Sequence, residues 1–151
     1  MKTLLILFLL LPLPLKANNV AQTQRPIINN IESFEWNNRI ILIHAPQMCE
    51  EVFQRLRSQK NDINERHVLW FILCEENQHK TILSNYSGIT SADFFDNIKK
   101  HYFVSKTLNI LLVGKDGGVK YQSKTLKLND LFNRIDSMPM RQSEMLEQQR
   151  H

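Results

Sequence analysis

Arg39-Ile-Ile-Leu-Ile-His-Ala-Pro46 is the stretch on which the fold turns. Ile40 to Ile43 is a continuous aliphatic run, too short for a helix of its own and apolar on both faces, as a central strand covered above and below must be. Pro46 ends the ladder, because it has no N–H to donate and its ring fixes φ. Beyond it Met48, Val52, Phe53 and Leu56 recur at helical spacing. Glu50 and Glu51 stand early in that helix and Arg55, Arg57 and Lys60 late, an order that complements the helix dipole. A buried strand, a sharp turn and an amphipathic helix make the first half of a βαβ unit. Ligands of open α/β sheets bind beyond the carboxyl ends of the strands. His44, Gln47 and Cys49 stand there, so chemistry is sought there first.

The 151 residues suffice for one domain with a single sizeable core. The opening segment reads as separate from that domain. Met1-Lys-Thr is a basic n-region, Leu4 to Leu15 an apolar h-region, and Ala17 a small residue at the cleavage position, which together predict a signal peptide over 1–17. The apolar run is too short, and too interrupted by Pro12 and Pro14, to span a membrane, so no stable anchor is expected after cleavage. The expected compartment is secreted or periplasmic. Loss of Lys2 and Lys16 lowers Lys+Arg from 19 to 17 against 15 acidic residues, and the net charge from +4 to +2. So small an excess, scattered along the chain, gives no argument for an anionic membrane, and no nucleic-acid partner is expected. Two cysteines, Cys49 and Cys74, do not make a disulfide scaffold, and the fold must rest on its core.

In chain order, 18–30 is a polar leader, and within Ile27 to Trp36 the residues Ile28, Ile31, Phe34 and Trp36 fit neither period and predict a short helix or turn that packs Trp36 against the sheet edge. The organising strand and a helix to about Lys60 follow, then a polar connection over 61–65. His67-Val-Leu-Trp-Phe-Ile-Leu-Cys74 is a second strand, parallel to the first through a right-handed crossover. Residues 75–90 show no regular period. Ser91 is a helix cap, with Asp93 in the first turn and Phe94, Phe95, Ile98 and Tyr102 on one face. Leu108 to Val113 is a third strand, and Gly114-Lys-Asp-Gly-Gly118 a hairpin into a fourth, Val119 to Ser123. Asn129 caps a last helix that buries Leu131, Phe132 and Ile135 and that Pro139 stops. The domain thus spans 31–140, and 141–151 is a polar tail. The order β-α-β-α-β-β-α predicts an α/β, thioredoxin-like fold: an about four-stranded mixed sheet with helices on both faces. A flavodoxin-like sheet is the alternative, disfavoured by the glycine-rich hairpin.

Four motifs extend this reading: Trp36-Asn-Asn-Arg39, the first strand with Ala45-Pro46, Gly114-Lys-Asp-Gly-Gly-Val-Lys120, and Ile135-Asp-Ser-Met-Pro-Met-Arg141. Together they resemble a thioredoxin-like family of unknown function. It is found in small secreted bacterial proteins and in sushi-repeat-containing and coiled-coil-domain extracellular proteins of animals. The resemblance covers about 31–145 and implies a fold and an exported life, but no established reaction. His44 departs from it, standing where the family carries an aromatic or aliphatic residue, and the cysteines lie outside its motifs.

Cys49 is the first candidate for chemistry. Dithiol oxidoreductases of this fold place Cys-x-x-Cys where the first strand turns into its helix, and the helix N-terminus lowers the first thiol's pKa. Here Val52 occupies the second cysteine's position, and Asn109 the place of the cis-proline that faces the thiols. A Cys49–Cys74 disulfide is the sharper candidate, with two free thiols the other reading. His44 is a candidate base toward Cys49, or a packed histidine; no ligand spacing joins it to His67 or His79 as a metal site. No cofactor is expected. Gly114 to Gly118 is a turn rather than a phosphate loop, because it runs from strand to strand. Asp136 is expected to hold the helix end, with Met138 and Met140 packed. The favoured function is a non-catalytic binding or interaction module for an unknown protein or surface partner. The alternative is a thiol-dependent redox enzyme using Cys49 with Cys74 or His44. Cleavage after Ala17 predicts a mature N-terminus at Asn18; N-terminal sequencing of exported material checks this, and an intact Met1 contradicts it.

Overall fold

The computed structural model describes residues 25–104 and 109–150. The signal-peptide expectation and most of the leader lie outside the described residues. Arg39–His44 forms β2, the central strand of a five-stranded sheet. It pairs in parallel with β3 (Val68–Glu76), with His44 opposite Leu73. Its other side pairs antiparallel with β6 (Ile110–Val113), with Leu42 opposite Leu111. β7 (Val119–Ser123) and β4 (His79–Ser84) form the two edges, giving the order β4-β3-β2-β6-β7. This arrangement is consistent with a thioredoxin-like α/β fold, with five strands where four were expected.

The period of β2 sorts its side chains to two cores. Ile41 and Ile43 face α1 (Cys49–Ser58), α2 (Lys60–Glu65) and α4 (Leu128–Asp136), meeting Val52, Leu56, Ile63, Leu131 and Ile135. Ile40 and Leu42 face α3 (Phe94–Tyr102), meeting Phe94, Phe95 and Ile98. The segment before β2 closes this second core. Its β1 (Ile27–Ile28) pairs with β5 (Ile89–Thr90), and a 3₁₀ turn at Glu32–Phe34 buries Ile31 and Phe34.

Several local expectations are corrected. Residues 75–90 contain β4, whose first three residues are exposed; a half-solvated edge strand carries little apolar signal. Its hairpin turns at Asn77 and Gln78, both with positive φ (48° and 69°), without the glycine that usually marks such a turn. The 61–65 connection is helical, the body of α2. The helix caps are Asp93 and Lys127 rather than Ser91 and Asn129. Trp36 does not pack: it is 68% exposed, at φ 66°, and its N–H bonds Lys115 O at 2.6 Å. Pro139 stops nothing. It is the first residue of α5 (Pro139–Gln148), where a missing N–H costs no hydrogen bond.

Helix α5 is held by charge. Arg39 and Arg141 are 1% and 0% exposed, and neither guanidinium can be buried without partners. Glu144 takes Arg39 in a two-point pair (3.1 and 3.2 Å) and Lys115 at 2.8 Å. Arg141 donates to Glu65 O at 3.1 Å and pairs with the carboxylates of Glu65 at 2.5 Å and Asp136 at 3.4 Å. Asp136, expected only to end its helix, also takes Arg66 at 2.7 Å. Met138 packs on the core, whereas Met140 is exposed.

Two outcomes follow from this packing. Leu42→Ala, at a fully buried site on the central strand, is expected to cost about 2–5 kcal/mol in denaturant unfolding; a loss under about 1 kcal/mol contradicts it. Burial opposes ionisation of Glu144, but the hydrogen bonds from Arg39 and Lys115 outweigh it and hold the carboxyl below its ordinary range. The stabilisation from ionised Glu144 is therefore present above the ordinary carboxylate range and is lost as pH falls through the lower folded value. Glu144→Gln is expected to cost about 3 kcal/mol near neutral pH, the gap to the wild type closing on acidification in urea unfolding at a series of pH values.

Candidate functional site

The crevice beyond β2 is built by the turn its proline enforces. Ala45 still donates to Leu73 O (3.1 Å), and His44 N–H to Asn109 O (2.8 Å), so both neighbouring strands run to this edge. Pro46, Gln47 and Met48 then turn outward, and α1 opens at Cys49 with no side-chain cap. The result is a cavity of about 330 Å³. Ile43, Val52, Ile110 and Leu126, all buried, form its apolar floor; Gln47, Glu51, Arg55 and Lys124 are among its polar rim groups. Arg55 braces one wall by donating to Leu126 O at 2.9 Å.

Cys49 and Cys74 are joined by a disulfide, with their Cα atoms 5.9 Å apart. The register explains the approach: Cys74 follows Leu73, the partner of His44, and the turn after β2 brings the start of α1 back over that end of β3. The bond ties one wall of the crevice to the neighbouring strand and engages both cysteines of the chain. Val52 is buried in the floor, and Asn109 offers its backbone carbonyl to His44 across the place expected for a cis-proline. No cis peptide bond occurs among the described residues.

His44 also lines the crevice, but its ring lies in different company. Its ring lies 5.7 Å from that of Phe103, and its Nε2, without a hydrogen-bond partner, is 4.0 Å from the Glu75 carboxylate. Glu75 is engaged by Lys99, whose hydrogen bond holds the carboxyl below its usual range. Burial pushes the His44 pKa down, and Lys99 adds to this against the opposing pull of Glu75. His44 is therefore neutral at neutral pH, and among the described residues it makes no side-chain hydrogen bond to either cysteine. His67 stands at the other end of β3, 3.2 Å from Lys115, so the topology separates it from His44. Among the described residues no group of three or more His, Cys, Asp or Glu side chains is placed to hold a metal ion. No helix there is long and apolar enough to cross a membrane.

The amino end of the sheet was passed over by sequence reasoning. Arg39, Lys115, Arg141 and Glu144 meet there from segments up to 105 residues apart. The one signal for it was the basic residues within three of the four motifs. Comparison with known proteins gives a family and a distant relative. The family described as "Domain of unknown function (DUF4174)" matches residues 30–144. The chain is 31% identical over 144 residues to the coiled-coil domain-containing protein 80 of Danio rerio, an alignment covering 83% of this chain and 16% of that protein. The chain thus spans about one sixth of the length of that relative. No solved structure matches. With most of its length matched, from the residue before Ile31 through the Glu144 that holds α5, the chain belongs to this family of domains of unknown function.

Proposed function

We infer that the protein is an exported, thioredoxin-like binding domain without dithiol redox catalysis, and that it holds a protein or surface partner in the crevice at the carboxyl end of β2. The observation that carries this is the crevice itself. Its volume of about 330 Å³ falls within the range of ligand sites, and an apolar floor with a few polar rim groups is the usual composition of one. Export rests on the Met1 to Ala17 pattern, and the thioredoxin-like assignment on the strand order and the four motifs. The disulfide acts as a staple: closing 25 residues contributes about 3 kcal/mol under the chain-entropy model.

A second reading is favoured by one feature, a sulfur of the disulfide lying at a helix N-terminus. Reduced Cys49 would attack a substrate disulfide as a thiolate, and Cys74 would resolve the mixed disulfide, leaving the substrate reduced and the protein oxidised. Against it stand the neutral, differently engaged His44 and Val52 in the usual resolving position.

Two measurements separate the readings. In insulin reduction the wild type is expected to show no turnover above the reductant alone. Robust turnover abolished by Cys49→Ser, with the fold intact, overturns the binding reading. Short peptides selected for binding to the wild type are expected to lose about tenfold in affinity to Thr125→Trp, which fills the crevice from an exposed rim position; unchanged affinity overturns the assignment of the crevice.

A further inference from the structure

Three of the sequence motifs have no part in the crevice, and all three converge on a second cavity at the opposite end of the sheet. Arg39 closes the first motif, Lys115 and Lys120 belong to the second, and Ser137 to Met140 to the third. With Arg134 they line a cleft of about 440 Å³. The hairpin permits this crowding because Gly114 lacks a Cβ, which would stand 2.7 Å from both Asp116 Oδ1 and Lys120 Cε.

The charges in this cleft do not balance. Four cations line it: Arg39, Lys115, Lys120 and Arg134. Two carboxylates answer them. Glu144 is shared between Arg39 and Lys115, and also lies 3.9 Å from Arg141; Asp116 takes Lys120 at 2.6 Å. Arg134 spends its Nε on Lys120 O at 3.2 Å and has no carboxylate partner among the described residues. Arg39, almost wholly buried, keeps an Nε–H with no partner. Opening onto the same cleft is the start of α5, a ten-residue helix with no side-chain cap; Pro139 has no N–H and Met138 donates to Ile135 O, so the N–H groups of Met140 and Arg141 are the ones left without intrahelical acceptors. That helix end adds a partial positive charge to an excess of two. Met138, Pro139 and Met140 supply an apolar wall beside it.

We propose that this cleft binds a doubly charged oxyanion, the phosphate of a small phosphate monoester or free phosphate, with any organic body of the ligand against the Met138–Met140 wall. The proposal deepens the reading of the protein as a binding domain, and it uses a site remote from the crevice. Arg134 and Lys120, at the mouth, meet the anion as charge-assisted donors, and the α5 N–H groups cap it. Glu144 stays with Arg39 and Lys115 and keeps those cations in place. The doubly charged state decides specificity, because a singly charged ester leaves one cation of the excess unanswered.

The test is a ¹H–¹⁵N titration of the purified protein with inorganic phosphate, phenyl phosphate and phenyl sulfate at constant ionic strength. Saturable shifts are expected at the amides of Gly114, Gly118, Ser137 and Met140 with either phosphate. Tighter binding of phenyl phosphate assigns the ligand to the esters; equal binding assigns it to free phosphate. Arg134→Glu and Ser137→Asp both alter exposed side chains outside the buried ion pairs. Each is expected to weaken phosphate binding about tenfold, the scale of one lost hydrogen bond to a charged group. No saturable shift, unchanged affinity in both variants, or equally strong binding of phenyl sulfate overturns the proposal. Shifts confined to Ile43, Val52 and Leu126 overturn it as well while favouring the crevice, whose own failure is read separately in the Thr125→Trp peptide comparison.

Discussion

The guanidinium of Arg39 sits at the first residue of the central strand and is withdrawn from solvent, and much of the remaining structure answers that constraint. A buried cation without a partner is among the costliest features a fold can carry. Here the partner comes from the far end of the chain, in Glu144 on α5, with a further hydrogen bond to Arg66 O at 3.0 Å. Bringing Glu144 into place fixes the direction of α5. That in turn buries Arg141, whose demands recruit Glu65 from the end of α2 and Asp136 from the end of α4. One buried charge thus coordinates the start of the sheet, one helical layer and the final helix. Replacing such pairs with apolar residues is often no less stable, so their value here lies in where they place the elements.

The two ends of the sheet are consequently different surfaces. At the carboxyl end the strands finish in backbone pairing, a proline-enforced turn and a disulfide, leaving an apolar hollow with a polar rim. At the amino end the glycine hairpin, α4 and α5 surround a cleft rich in cations. The position where a dithiol enzyme of this fold keeps its reactive pair is held by one cysteine bonded across to β3 and by Val52, buried in the core. The Cys49–Cys74 bond therefore does for the crevice what ion pairs do for the opposite cleft: it holds separate elements together.

Core membership was legible wherever a residue's environment depended on local period. The aliphatic runs of β2, β3 and β6 announced a central sheet, and the spacing of Leu131, Phe132 and Ile135 announced α4. The glycine hairpin was equally plain, since Gly117 adopts φ 75° and turn chemistry is a local matter. Edge strand β4 was not legible, because half-solvated strands blur the alternation that betrays them. Nor was the exposure of Trp36, whose φ of 66° turns it away from the core that its composition suggests. Pro139 illustrates an ambiguity of its own: a proline suits the residue after a helix end and the first turn of a new helix alike, and here α4 has already ended at Asp136 and Pro139 opens α5.

The amino-acid sequence by itself determined the order of elements, the central place of Arg39 to His44 and the helix-start position of Cys49. These depend on near neighbours and on chain direction, which are written along the chain. That Cys74 comes within bonding reach of Cys49 was decided by the fold. Tertiary structure alone decided that Arg39 and Arg141 are buried, that Glu144 rather than a nearer carboxylate answers Arg39, and that three motifs up to a hundred residues apart line one cleft. An ion pair is chosen by distance in space and by the loss of water around it. Neither quantity exists until the sheet has closed and α5 has docked against its start.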